Sequence, residues 1–273
     1  DMKNPTLVVS AKLQHIDVNT LAVDGNKLLI AGAADRDMFN ELNNSAWTSF
    51  LPLNNGLLSS DFDFTGLQGE SAIEVIAGTS TANYVVSGSN GVLSKLNKQN
   101  GNVEVSINIP DLRSVRHNGS KVVVLSGTGI LKVFNESLIL EKDITVKPNI
   151  MDSKRVLDMS QNFAFVPLGK DGFASYNIQS GTLLREYPIP AYLGNDVSLG
   201  NEDIVTNAVS INGDKLFVAN GGAGVSIYNL NRTDGAANLL GTASFDGLEL
   251  SSSNFVISRE DYAFVANGRG GLK

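Results

Sequence analysis

The side chains able to do chemistry fall into two sets. Carboxylates stand at Asp17, Glu70, Asp152 and Asp203, and guanidinium groups at Arg36, Arg113, Arg155 and Arg269. Gathered in one pocket, the carboxylates would supply the acid and base of a carbohydrate hydrolase, lactonase or lyase. Gathered arginines would grip a carboxylate in bidentate fashion; unpaired surface arginines, or arginine–aspartate pairs between repeats, are the more economical account. A third feature is the stretch from Ala191 to Asp203, where Tyr192 precedes Asp196, Glu202 and Asp203. Such a loop can offer carboxylates to sugar hydroxyls or to a calcium ion. A solvated insertion is the commoner fate of a long surface loop. Asp61 and Asp63 have part of a calcium-loop spacing, but no further ligands follow, and they read as polar strand positions.

Other chemistries are thinned out by count. His15 near Asp17 has the makings of a general base, whereas His117 falls in a hairpin turn and is expected to be exposed. A metal site of several imidazoles cannot be built from two histidines. Zero cysteines remove disulfides, thiolate ligands and cysteine nucleophiles. No nucleophile-elbow sequence accompanies the serines. The expectation is therefore no catalytic residue, no metal and no cofactor.

With 28 acidic against 21 basic residues the net charge is −7, and no basic cluster offsets it. Nucleic acid and anionic membrane both demand a lysine and arginine footprint, so neither is expected as a partner. No apolar run approaches the ~20 residues that span a bilayer, so membrane insertion is not expected either. A protein or glycan ligand and a monomeric state are the expectation that remains.

The elements that must position these residues are set by internal repeats. Residues 21–32, 115–127 and 210–221 each read as a short strand, an Asx-Gly turn followed by a polar residue and lysine, then an apolar strand ending in a small residue and glycine. Asn-Gly and Asp-Gly suit the positive φ of a tight hairpin. Segments 74–88, 157–169 and 256–268 fit the same frame with other turns. The closing glycines Gly32, Gly88, Gly127, Gly169, Gly221 and Gly268 are separated by 56, 39, 42, 52 and 47 residues. A second hairpin repeats as well: Leu96 to Val103 and Tyr176 to Leu183 lie 80 residues apart, and both run on to a proline, Pro110 and Pro190.

Four strands in about 45 residues is the signature of a β-propeller blade. The expected fold is all-β, one propeller domain over 1–273 with six four-stranded antiparallel blades at about 14–65, 66–110, 111–148, 149–190, 191–246 and 247–273. Seven blades is the alternative, because the 56-residue gap has room for a degenerate one around Asn40 to Phe64. Residues 6–13 are expected to close the ring as the outermost strand of the last blade, and the chain is expected to continue beyond Lys273. Second strands such as Val122-Val123-Val124 are apolar throughout, as strands covered on both faces are.

Two segments carry a family resemblance. Leu216-Phe217-Val218-Ala219-Asn220-Gly221-Gly222-Ala223-Gly224-Val225-Ser226-Ile227-Tyr228-Asn229-Leu230 and Ala263-Phe264-Val265-Ala266-Asn267-Gly268-Arg269-Gly270-Gly271-Leu272-Lys273 resemble LVIVD-type repeats of bacterial exported and cell-surface β-propellers. The resemblance implies an exported bacterial protein, in the periplasm or at the cell surface, and it brings no shared catalytic residues.

In this frame the connections between second and third strands, and those between blades, share one end of the repeat. The register places Asp17, Arg36, Glu70, Arg113, Arg155, Tyr192, Asp196, Asp203 and Arg269 there as candidate ligand-binding residues. Asn220 and Asn267 are expected to serve turns by tolerating left-handed backbone, and Gly172, Gly224 and Gly271 to serve turns rather than phosphate. The functional expectation is a non-enzymatic binding module, with the carbohydrate-active enzyme as the alternative.

Overall fold

The computed structural model describes residues 16–35, 45–54, 57–58, 63–87, 91–147, 153–191, 200, 203–245 and 251–273. They form a succession of antiparallel sheets, with one turn of 3-10 helix at Gly268–Gly270. The first sheet holds β1 (Ile16–Asp24), β2 (Lys27–Ala34) and β3 (Ala46–Asn54), with the short β4 (Leu57–Leu58) and β5 (Phe64–Gly66) both paired to β3. The second comprises β6 (Ala72–Ala77), β7 (Ala82–Ser87), β8 (Val92–Asn97) and β9 (Val103–Asn108). Next come β10 (Leu112–His117), β11 (Lys121–Ser126), β12 (Ile130–Asn135) and β13 (Leu140–Thr145). The fourth sheet runs β14 (Asp158–Met159), β15 (Phe163–Pro167), β16 (Phe173–Asn177) and β17 (Leu183–Tyr187). The fifth has β18 (Ala208–Asn212), β19 (Lys215–Ala219), β20 (Val225–Leu230) and β21 (Ala237–Ala243). The sixth, in the described residues, pairs β22 (Phe255–Arg259) with β23 (Tyr262–Ala266).

Strand order in the sheets of four follows chain order, so the architecture is all-β and propeller-like. The sheets group into two compact units, residues 1–126 with 135–139 and residues 127–134 with 140–273. The expected closing strand 6–13 lies outside the described residues.

The turns fold for the reasons their residues suggest. Gly25, Gly119 and Gly213 take φ of 59°, 100° and 58° at the first hairpins. The second strands β7 and β15 are buried along their whole length. In the first unit Leu29, Leu67, Val75, Val85 and Leu96 form one apolar core. The second has an aromatic core in which Phe173 stacks on Tyr187 at 4.5 Å and meets Tyr228 edge-on at 5.1 Å.

Sheet-to-sheet contact is not only apolar. In each unit the first strand of one sheet carries a polar side chain that accepts a backbone N–H from the first strand of the next. Thr20 accepts from Val75 at 3.2 Å and Glu74 from Val115 at 2.6 Å. Asp158 accepts from Ile211 at 2.7 Å and Ser210 from Ser258 at 3.1 Å. These bonds give acceptors to amides that apolar packing alone would leave buried and unpaired.

The fourth strands share a second device. β9, β13, β17 and β21 each slip register by one residue, at Glu104, Glu141, Leu184 and Leu240. Bulges of this kind twist an exposed edge away from indiscriminate pairing. The turns leading into three of these strands are Asn97 to Gly101, Asn177 to Gly181 and Asn231 to Gly235, with the glycines at φ of 74°, 80° and 72°. Each asparagine Oδ1 accepts backbone N–H groups inside its own turn.

Candidate functional site

At the loop end of the second to fifth sheets a left-handed glycine, Gly91, Gly129, Gly172 or Gly224, stands before the third strand. A Cβ added to Gly172 would lie 2.0 Å from the Tyr187 carbonyl oxygen, and one on Gly224 would lie 2.1 Å from that of Ala243. Both glycines therefore exist for close backbone approach as well as for positive φ, the turn role their sequence context suggests.

In the first unit this end carries Asp17, Glu70 and Arg113. Asp17 is exposed at the start of β1, beside Gly32, where a Cβ would collide with the Asp17 carbonyl. Glu70 is exposed in the connection before β6, and its carbonyl, not its carboxylate, accepts the Ser45 hydroxyl. Arg113 pairs with Asp111 at 2.6 Å, both side chains about one-third exposed.

The second unit carries Arg155, Asp203 and Arg269. Arg155 is almost fully buried and donates to the Lys147 carbonyl at 2.6 Å. Lys147 in turn pairs with Asp171 at 3.1 Å and Glu186 at 3.3 Å. Those two carboxylates, Asp171 first, hold the Lys147 ammonium above its ordinary value. Asp203 accepts the Gly200 amide with its own carboxylate at 2.9 Å, fastening its turn. Arg269 is exposed in the 3-10 turn. Arg36, Tyr192 and Asp196, with His15 and Asp152, lie outside the described residues.

Asp111 and Arg155 stand at equivalent points, three residues before Ser114 and Asp158, and both adopt left-handed backbone, φ 50° and 56°. Neither is glycine or asparagine, so tertiary contacts must hold the conformation at a cost of ~1 kcal/mol or more each.

A polar network that the residue types alone did not announce lies beneath the second unit's loops. Ser153 donates to the Thr206 carbonyl at 2.6 Å, and the Thr206 hydroxyl to Asn220 Oδ1 at 2.7 Å. Asn220 Nδ2 reaches Ser226 at 2.8 Å. In the next sheet Ser253 donates to Asn267 Oδ1 at 3.2 Å, while Asn207 Nδ2 reaches the Ser253 carbonyl at 3.3 Å. All are at most 3% exposed. The signal present in the sequence was the shared spacing of 14 from Thr206 to Asn220-Gly221 and from Ser253 to Asn267-Gly268.

Two local expectations are corrected. Asn267 has φ of −106°, and Asn220 is not among the left-handed residues; Gly221 and Gly268 take that conformation at 59° and 55°. The asparagines are buried hydrogen-bonding groups, not backbone adaptors. His117 is not exposed: its side chain is 7% accessible, stacked on Tyr84 at 6.0 Å with Glu136 at 3.8 Å from Nε2. Burial, opposed by Glu136, holds its imidazole below the usual value.

Among the described residues no group of three His, Asp or Glu side chains converges as a metal cage would. No protein-family model matches the chain, and no curated protein matches its sequence. Solved structures do. The chain is similar to U3-55K with a TM-score of 0.68 at 10% identity, over 92% of this chain and 74% of that one. It is also similar to the computationally designed Ika8 protein, with a TM-score of 0.62 at 15% identity, over 94% and 70% of the two chains. At these identities the likeness is one of fold alone.

Proposed function

We propose that this chain is a non-enzymatic six-bladed β-propeller serving as a binding module for a protein or glycan, exported to a bacterial periplasm or cell surface. The observation that carries the reading is the engagement of three of the candidate charges. Arg113 is held by Asp111, Arg155 is buried against Lys147, and Asp203 fastens its own turn. Catalytic groups must be free to meet substrate, whereas groups committed to loop architecture build a rigid recognition surface. Export and bacterial origin rest on the resemblance of residues 216–230 and 263–273 to LVIVD-type repeats. Six blades rest on the six repeated sheets.

A glycan array and a pull-down with the purified 273-residue chain test the proposal. A saturable ligand whose binding falls at least tenfold in Asp17→Asn, Glu70→Gln or Arg269→Ala supports it. Turnover of a lactone, glycoside or uronide, abolished by the same acid substitutions, would replace it with the enzyme reading.

A further inference from the structure

Asn-Gly occurs seven times in the chain, five of them within the described residues. The pair carries a latent reaction: the glycine nitrogen can attack the asparagine side-chain carbon and close a five-membered ring, and glycine, lacking a Cβ, opposes that closure least. Whether it proceeds depends on what holds the glycine N–H, what polarises the asparagine carbonyl and whether water enters. Four of the five pairs are held against it. The Gly101 amide donates to the Asn97 carbonyl at 2.9 Å, and the Gly221 amide to that of Ser253 at 3.2 Å. Asn220 and Asn267 are 1% exposed, so their side chains are screened from water. Asn212 is fastened through its side-chain nitrogen, the atom that would leave, to the Glu260 carbonyl at 2.7 Å.

Asn118-Gly119, in the turn between β10 and β11, differs in each respect. Gly119 is exposed, with open space where a Cβ would stand. Its amide donates not to a carbonyl but to His117 Nδ1 at 3.2 Å, within reach for proton transfer. An accepting Nδ1 leaves the proton of a neutral imidazole on Nε2, and Glu136 stands 3.8 Å from that nitrogen. A carboxylate so placed stabilises the imidazolium that forms when Nδ1 takes up a proton. Burial, opposed by Glu136, holds the imidazole below its ordinary value, so it is a proton acceptor at neutral pH. Asn118 Oδ1 accepts the Lys121 amide at 2.9 Å, the Ser120 amide at 3.1 Å and the Ser120 hydroxyl at 3.3 Å. Three donors on one oxygen draw electron density from Cγ and hold the negative charge that the oxygen gains on attack.

We propose that Asn118 is a self-modification site, deamidated within its own turn with His117 as the general base. The Gly119 nitrogen forms a bond to Asn118 Cγ while its proton passes to His117 Nδ1. The Ser120 and Lys121 donors hold the oxyanion on Oδ1. Collapse breaks the Cγ–Nδ2 bond, and the proton on His117 departs with the nitrogen as ammonia. Water then opens the succinimide at either carbonyl, giving aspartate or isoaspartate at position 118. Each product adds one negative charge to the turn, and isoaspartate also lengthens its backbone by a methylene.

The test holds the 273-residue chain at neutral pH and follows each Asn-Gly pair by peptide mapping with mass spectrometry, resolving isoaspartate from aspartate by chromatography. Asn118 should convert at least tenfold faster than Asn100 or Asn212. It should also convert at least tenfold faster in the folded chain than in the same chain unfolded in urea, a part of the ~100-fold that a positioned general base contributes. His117→Gln, which keeps a polar side chain but removes the base, brings the folded rate down to the urea rate, with circular dichroism confirming that the sheets are retained. Conversion no faster at Asn118 than at Asn100, a folded rate unchanged by His117→Gln, or faster conversion in urea than in the folded chain would each overturn the proposal. The urea comparison decides it even where the variant does not fold. The binder proposal is judged separately, because this turn lies at the opposite end of β10 from Arg113.

Discussion

Replacing Glu74 should expose how much of the fold depends on polar clamps between sheets. The carboxylate accepts the Val115 amide at 2.6 Å and the Arg116 guanidinium at 2.6 Å, with the glutamate side chain 11% and the arginine 17% accessible. Alanine leaves the fully buried Val115 N–H without that acceptor, a loss of ~1–3 kcal/mol. Breaking a fully buried ion pair costs ~3–5 kcal/mol. Arg116 also donates to the Val115 carbonyl at 2.7 Å and touches water, so its share belongs well below that range. A total of ~3 kcal/mol is expected for Glu74→Ala, lowering the melting temperature by roughly 6–12 °C for a cooperative unit of this size. Glu74→Gln keeps an oxygen for the amide and should cost ~1 kcal/mol. Trp47, fully buried in the same unit and the chain's one tryptophan, reports the loss by fluorescence in urea titrations. A cost for alanine under ~1 kcal/mol, or a glutamine variant as damaged as the alanine one, would refute the clamp argument.

Three further outcomes follow from the same physics. Gly172→Ala, at φ 84° with its Cβ driven against the Tyr187 carbonyl, should cost more than ~2 kcal/mol, whereas Gly119→Ala, open to solvent at φ 100°, should cost ~1 kcal/mol; calorimetry separates them. Burial keeps His117 below its ordinary 6.5 against the pull of Glu136. The unfolded chain then takes up the proton first, so stability is full above that pH and declines as pH falls through it; His117→Gln should flatten this slope in denaturation midpoints between pH 7.5 and 5. Burial likewise pushes the Tyr84 and Tyr228 phenols up to about 12. Unfolded phenols ionise near 10, so stability should fall as pH rises from 10 toward 12, and Tyr84→Phe should reduce that alkaline loss.

Much of the architecture was legible because hairpins are local. An Asn-Gly turn between two apolar runs specifies its strands within a dozen residues, and repetition of that pattern marks the sheets. The apolar run Val122-Val123-Val124 announced burial on both faces, as β11 displays. The site was less legible. Arg155, read as a surface guanidinium or an inter-repeat pair, proved buried with its guanidinium donating to the Lys147 carbonyl, an arrangement that neighbours in sequence do not decide. His117 failed for the same reason: the turn is exposed in sequence terms, but Tyr84 of β7 and Glu136 of the turn after β12 meet the ring.

Sequence by itself thus determined strand, turn and repeat, all consequences of interactions spanning a few residues. Tertiary structure decided which polar side chains became clamps. Thr20, Glu74, Asp158 and Ser210 are of four different types, and their common role depends on a backbone amide delivered by the next sheet, 41 to 55 residues away. An acceptor's partner at that distance is fixed by packing, not by spacing, and only the folded chain reveals it.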